Sequence, residues 1–169
     1  NKSPFNIGEK IYLNDFTIHE HNEFITKSQL NIDRNISDYI FFWTNGNPRL
    51  TFDICSEIEN YIIEAQNINK KVIDEIIHEK YLRNFDIPPI DHIRERIKSN
   101  KAVQNAIISM HQGETDITED IRKKLYLYGI IDSTDKLTIK NKIIKESLSL
   151  EWIKQLLNDS DEIYKVAIS

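Results

Sequence analysis

The stretch NGNPRLTFDICSEI, residues 45–58, decides the helical organisation of this 169-residue chain. Gly46 readily takes the positive φ that ends a helix, and Asn47 is a strong N-cap for the next one. Pro48 suits the first helical position, because its missing N–H has no intrahelical partner there. Apolar residues then recur at helical spacing as Leu50, Ile54, Ile58, Tyr61 and Ile62. The stretch therefore predicts a tight turn between two helices, with Arg49 in the first turn of the second.

Helical patterns continue on both sides of this turn in the first half of the chain. Upstream, Thr17 and Glu20 have the spacing of a capping box, and RNISDYIFFWTNG predicts a second helix. Downstream, a further helix begins near Asn69, and the two prolines of DIPPID stop any helix after it. Residues 3–13, SPFNIGEKIYL, predict a loop and a short strand before the first helix.

The second half predicts helices arranged around a β-hairpin. IDHIRERIKS and SNKAVQNAIISMHQG are two helices, and ITEDIRKKLYLYG is a third that ends near Gly129. IIDSTDKLTI combines a short apolar run, a turn and an alternating segment, which is typical of a β-hairpin, and NKIIKESLSLEWIKQLL predicts one closing helix. That order indicates a winged helix. The predicted fold class is mainly α, a small helical subdomain followed by a winged-helix domain with one β-hairpin.

Composition narrows the class of protein. Apolar residues make up 40% of the chain and charged residues 29%, and the net charge is −5, which gives no general reason to expect nucleic-acid or membrane binding. The single cysteine, Cys55, excludes an internal disulfide and favours a reducing cytoplasm. No apolar run has the length of a membrane span. The chain begins at Asn1 rather than Met, so we expect it to be a piece of a longer protein.

GNPRLTFDIC resembles the sensor-2 segment of AAA+ ATPases, where a Gly-x-x-Arg opens a helix of the small α-helical lid. SPFNIGEKIYLNDFTIHE resembles the segment after sensor 1 in the AAA-like branch of the STAND ATPases. LYLYGIIDSTDKLTIKNKIIKESLSLEWIKQL is similar to the end of those proteins, with a wing, an Asn-x-Ile segment and a Trp-containing helix. The resemblance implies the end of a nucleotide-binding core over residues 1–16, a helical lid over 17–86, a winged helix over 87–158 and a tail over 159–169.

The resemblance also implies a nucleotide site. Gly46, Asn47 and Pro48 would border the adenine, and Arg49 would approach the terminal phosphates of ATP or ADP bound with Mg²⁺ in the full-length parent. This chain has no Gly-x-x-x-x-Gly-Lys-Ser/Thr and no acidic Walker B strand. Alone it should therefore not hydrolyse ATP, and its partners would be its own upstream core and other copies in an oligomer. The structural alternative is that Gly46 to Arg49 only end one helix and start another.

A basic run offers a different function. Residues 121–145 carry seven positive and two negative charges. In a DNA-binding winged helix the third helix enters the major groove and the wing contacts phosphates. The alternative function is therefore a freestanding winged-helix DNA-binding regulator that uses Arg122, Lys123, Lys124, Lys136, Lys140, Lys142 and Lys145. The same charges could also form a solvated face, or the chain could be a helical adaptor that binds no ligand.

The remaining reactive residues predict no catalytic or metal site. His19 and His21 are two residues apart and point in different directions on a helix, and no cysteine or carboxylate has the spacing of a zinc ligand. Cys55 falls beside core positions of its helix and should be buried and inert. Trp43 and Trp152 are expected to anchor the cores of the two halves.

Overall fold

The structure, a computed structural model, describes residues 14–64 and 67–168, with side chains described as far as Asp159. The described chain is mainly helical. The predicted strand in residues 3–13 lies outside the described residues. In chain order the helices are α1 (Ile18–Lys27), α2 (Arg34–Thr44), α3 (Pro48–Ile63), α4 (Lys70–Ile77), α5 (Ile90–Lys98), α6 (Lys101–His111), α7 (Glu119–Leu127), α8 (Lys142–Ser147) and α9 (Leu150–Ile168). None of the described helices is long and apolar enough to cross a membrane.

The predicted helix starts in the first half are confirmed, because side chains supply the missing backbone partners. Before α1 the Glu20 amide donates to Thr17 Oγ1 over 3.3 Å, and Glu20 Oε2 accepts from the Thr17 amide over 2.8 Å. This is the expected capping box. Asn47 caps α3, with its Oδ1 accepting from the Leu50 amide over 3.0 Å, and Pro48 is the first helical residue.

The end of α4 differs from an ordinary helix. It continues into a π-helical turn, His78–Leu82, which buries the ring of Tyr81 completely. The Tyr81 hydroxyl donates to Asp53 Oδ2 over 2.9 Å and so joins this turn to α3. Burial of the phenol, with the Asp53 carboxylate beside it, raises the pKa of Tyr81.

The β-hairpin predicted for IIDSTDKLTI is not formed as two strands. In the described part of the chain its arms meet at one antiparallel bridge, Ile131 with Ile139. The Lys140 amide donates to the Ile130 carbonyl over 2.9 Å, but the Lys140 carbonyl accepts from the Asn45 side chain over 2.9 Å. A longer ladder would pair the Ile130 amide with the Lys140 carbonyl, but that amide donates to the Leu125 carbonyl over 2.9 Å, so the ladder ends here. We refer to residues 132–140 as the wing loop.

The single closing helix predicted for NKIIKESLSLEWIKQLL is wrong in one respect, because the chain breaks between α8 and α9. The break frees two carbonyls, and both find partners from the second half of the chain. Arg94 Nη1 donates to the Ser147 carbonyl over 2.8 Å, and His111 Nε2 lies 2.8 Å from the Leu148 carbonyl. The backbone of α9 then continues to Ile168, through the residues predicted as a tail.

One hydrophobic core runs through both halves of the described chain. Its buried members include Ile40 and Ile77 in the first half, and Ile107 and Ile144 in the second. Helix α8 packs against α2 and against the π-helical turn, so the two halves share buried surface. Trp43 is buried as predicted, whereas Trp152 lies at the margin of the core. The division into a lid and a winged helix stays a prediction.

Arginine 94 secures the second half to the linker that precedes it. Its guanidinium carbon lies 3.8 Å from the ring centroid of Phe85 and 3.7 Å from that of Trp152. Burial lowers the pKa of Arg94 to about 10, which leaves it charged at neutral pH. A cation held between two aromatic faces is favourable, because both rings present their negative faces to it.

Candidate functional site

The turn at residues 46–49, here called the GNPR turn, is held against the segment that precedes α1. Asn45 and Gly46 both have positive φ, at 47° and 78°. The Gly46 carbonyl accepts from the Phe16 amide over 2.7 Å. A Cβ atom on Gly46 would lie 2.0 Å from the Phe16 carbonyl oxygen. Gly46 is therefore required here by a close backbone approach as well as by its φ.

Asn47 and Asp15 extend this contact. Besides capping α3, Asn47 donates through Nδ2 to Asp15 Oδ1 over 3.2 Å. Burial raises the pKa of Asp15, and the negative charge of Asp132 on the wing loop raises it further, while Lys140 and the Asn47 hydrogen bond act in the opposite direction. The charge on Asp15 is therefore sensitive to the position of the wing loop as well as to the GNPR turn.

Arg49 presents its positive charge at the start of α3. Its side chain is 60% exposed, and its nearest carboxylate is Asp53, with 3.9 Å between Arg49 Nε and Asp53 Oδ2. Asp53 already accepts the Tyr81 hydroxyl at 2.9 Å, so its contact with Arg49 is the weaker one. An ion pair of this length and exposure contributes little free energy. The guanidinium can therefore turn toward an anion at the N-terminus of α3, where the helix dipole also favours negative charge.

Asn45 joins the turn to the second half of the chain. Its Nδ2 donates to the Lys140 carbonyl of the wing loop over 2.9 Å. The GNPR turn is thus bonded on one side to Phe16 and Asp15, and through the neighbouring Asn45 to the wing loop. Sequence reasoning missed Asn45 and Asp15 as partners of the turn. The Asn-Gly pair was the available signal, because asparagine tolerates positive φ well.

Beside this junction lies a cleft of about 440 Å³, here called the lysine cleft. Its walls are α2, the wing loop and the start of α8. Four lysines and two carboxylates line it. Lys140 Nζ lies 3.4 Å from Asp132 Oδ1, and Lys142 Nζ lies 2.8 Å from Glu146 Oε1. The lining residues are Phe42, Asn45, Asp132, Lys136, Thr138, Ile139, Lys140, Asn141, Lys142, Lys145 and Glu146.

The residues of the predicted DNA-binding run do not form one surface in the structure. Arg122 turns inward and donates to the carbonyls of Ile117 and Thr115, over 2.7 and 3.0 Å. Lys123 pairs with Glu119 at 2.7 Å on the same helix. Lys124 is exposed on α7, which contributes nothing to the lysine cleft. Only the later members of the run come together, and they do so around the cleft: Lys136, Lys140, Lys142 and Lys145.

Two further residues are explained by burial. Cys55 is 5% exposed, and burial raises the pKa of its thiol to about 12, so it is the inert core thiol that the sequence predicted. His21 is fully buried, and its Nε2 donates to the Ser37 carbonyl over 2.9 Å. Desolvation lowers the pKa of His21 below its usual value. In the described ranges no group of three or more His, Cys, Asp and Glu residues is arranged to hold a metal ion.

These features define a mainly helical unit in which an exposed arginine starts a helix at a turn that depends on a buried glycine. The sequence profile of the AAA-like domain family matches residues 1–146, and the chain belongs to that family. This membership relates it to nucleotide-binding, ATPase-like proteins. The chain is also similar to an uncharacterized WD repeat-containing protein of Synechocystis sp., with 25% identity over 179 residues. That match covers 93% of this chain and 15% of the relative, so the chain spans a small part of the relative's length. No solved structure matches the chain significantly.

Proposed function

We propose that this chain is the lid and winged-helix region of a cytosolic regulatory ATPase of the AAA+/STAND type. In this proposal ATP or ADP, with Mg²⁺, binds to a nucleotide-binding core upstream of the helices. The chain then couples the nucleotide state to domain rearrangement or to assembly with other copies. The family match over residues 1–146 supports the general class. The connections of the GNPR turn support the coupling role.

Arg49 is the group that would sense the nucleotide. A guanidinium stays charged at all physiological pH values and offers several donors to phosphate oxygens. Arg49 is 60% exposed and makes only a 3.9 Å contact with Asp53, so engaging a phosphate would break no strong internal interaction. Gly46, Asn47 and Pro48 would set the direction in which Arg49 leaves the helix, and they would border the base.

The connections of the turn would pass the signal on. A force on Arg49 acts on the first turn of α3. That turn is hydrogen-bonded through Asn47 to Asp15, and the preceding residue, Gly46, contacts Phe16. The adjacent Asn45 is bonded to the wing loop at Lys140. A change at the phosphate would therefore reach both the segment before α1 and the winged-helix half. The hydrogen bonds of the turn to both parts of the chain are the single observation that carries the proposal, because a simple helix cap needs none of these long-range bonds.

The test compares Arg49→Ala with Arg34→Ala in the intact protein that contains the upstream core. The two arginines are matched, since both are exposed, at 60% and 67%, and both pair with an aspartate four residues later. We expect Arg49→Ala to impair ATP turnover or nucleotide-dependent assembly by about tenfold or more, the scale of one charge-assisted phosphate contact. Arg34→Ala should be close to wild type. Equal activity of the two variants would refute the role of Arg49.

A further inference from the structure

The lysine cleft shares Asn45 and Lys140 with the proposed signalling path, and it concentrates positive charge in an acidic protein. Its four lysines and two carboxylates give it a net charge of +2, whereas the whole chain carries −5. Residues from both halves of the chain form it. Phe42 and Asn45 lie at the end of α2, and the other lining residues lie in the wing loop, at the Asn141 cap and in α8. A local excess of one sign in a concave site attracts ligands of the opposite sign.

The four lysines are not equivalent. Lys140 and Lys142 are partly buried, at 28% and 31% exposure of their side chains, and each pairs with a carboxylate. The ammonium of Lys142 also lies 4.7 Å from the ring centroid of Trp43, which helps to fix its position. Lys136 and Lys145 are exposed, and within the described part of the chain neither has a carboxylate at ion-pair distance. These two ammonium groups approach the cleft from different elements, the wing loop and α8.

We propose that the lysine cleft binds the phosphate groups of a small polyphosphate ligand. Lys136 and Lys145 supply the unpaired positive charges, and Lys140 and Lys142 add the partly neutralised ones at the inner wall. Lysine suits this role because a mobile ammonium binds phosphate oxygens as a point charge with three donors. Two unpaired cations favour a ligand that carries several negative charges over a single carboxylate.

The dimensions of the cleft favour a small ligand over a nucleic acid duplex. A volume of about 440 Å³ falls in the range of pockets that enclose small molecules. A duplex needs a row of cations that follows its backbone. Two of the residues that would extend such a row are used elsewhere, since Arg122 binds backbone carbonyls and Lys123 pairs with Glu119. The third, Lys124, lies on α7 outside the cleft.

Phe42 allows the ligand to be either free polyphosphate or a nucleotide. Its ring is 56% exposed at the cleft, with one face stacked on Tyr39 at a centroid distance of 5.7 Å. The Lys142 ammonium lies 5.5 Å from the centroid of the same ring, and the exposed remainder of the ring is accessible to a base. The shared chemistry of both sources is a chain of phosphates, and a comparison of ligands distinguishes them.

The experiment is calorimetric titration of the full 169-residue chain with inorganic tripolyphosphate, at about 50 and 200 mM salt. The test variant carries Lys136→Gln and Lys145→Gln. The control carries Lys124→Gln and Lys154→Gln, which remove the same charge from exposed positions outside the cleft. We expect the wild type to bind in a salt-dependent manner, the test variant to bind at least about tenfold more weakly, and the control to change by less than about threefold.

Each other outcome has a defined meaning. No binding of tripolyphosphate, or equal losses in the two double variants, would overturn the proposal. ATP that binds as tightly as tripolyphosphate indicates recognition of phosphates alone. ATP that binds more tightly, with the advantage lost in Phe42→Leu, indicates a nucleotide; both results support the cleft. Tight binding of a short DNA duplex that depends on Lys123 and Lys124, without binding of tripolyphosphate, would favour the DNA-binding alternative and refute the cleft.

Discussion

Replacing Gly46 with alanine tests whether the GNPR turn depends on the close backbone approach seen in the structure. Two costs are expected. The first is the left-handed backbone, since Gly46 has φ of 78° and a residue with a Cβ atom loses about 1–2 kcal/mol there. The second comes from the new Cβ atom, which would lie 2.0 Å from the Phe16 carbonyl oxygen, so the two segments must separate.

The second cost can be bounded from the contacts that would be lost. Separation breaks the 2.7 Å hydrogen bond from the Phe16 amide to the Gly46 carbonyl, worth about 0.5–1.5 kcal/mol. It also disturbs the stacking of Phe16 on Phe24, whose ring centroids are 5.7 Å apart, worth roughly 0.5–1.5 kcal/mol. Gly46→Ala should therefore lower the free energy of unfolding by about 2–5 kcal/mol in total.

Gly129 provides the matched control. Its φ is 79°, but a Cβ atom there would have nothing within 4 Å. Gly129→Ala should therefore show only the backbone cost of about 1–2 kcal/mol. Urea unfolding of both variants, followed by circular dichroism, measures the difference directly, and unchanged m-values would show that the variants expose the same surface on unfolding. If the two variants lose the same stability, the contact between Gly46 and Phe16 does not exist in solution.

Three further predictions concern charge and burial. Burial lowers the pKa of His21, so the unfolded chain gains a proton below about pH 6.5 that the folded chain does not. Stability should fall as the pH drops below that value, by up to about 1.4 kcal/mol per pH unit, and urea titrations of His21→Gln should show a shallower fall. Arg94→Ala should cost about 2–4 kcal/mol by the same assay, and Arg94→Lys should recover less than half, because lysine cannot stack a planar group on Trp152. Burial and the nearby Asp132 raise the pKa of Asp15, so the stability of the wild type relative to Asp15→Asn should decrease as the pH rises above about 4. A constant difference would contradict the assigned environment of Asp15.

Local sequence patterns predicted most of the helices because their causes are local. The Thr17 and Glu20 capping box, the Asn47 cap and Pro48 at the first helical position each depend on residues within a few positions of one another. The apolar spacing after Pro48 likewise predicted the buried face of α3. Short-range chemistry of this kind is readable without a tertiary structure.

The two incorrect predictions, the hairpin and the continuous closing helix, involve hydrogen bonds between residues far apart in the sequence. The wing was predicted as a hairpin, but the Lys140 carbonyl is bonded to Asn45, which is 95 residues away. The closing helix was predicted as continuous, but Arg94 and His111 stabilise a break between α8 and α9. Neither partner could be identified from periodicity, because both lie in other helices and contact the chain only after it has folded.

The candidate site likewise combines features that local sequence predicts with features that depend on long-range contacts. The identity and local shape of the GNPR turn could be read from neighbouring residues, since Gly46, Asn47, Pro48 and Arg49 act within one helix start. The contacts of this turn, and the grouping of the basic residues, became visible only in the folded chain. Arg122 is used to bind backbone carbonyls, whereas lysines from the wing loop and α8 gather around one cleft. Helix caps are set by neighbouring residues, whereas the direction and pairing of a long cationic side chain depend on the groups that the fold places beside it.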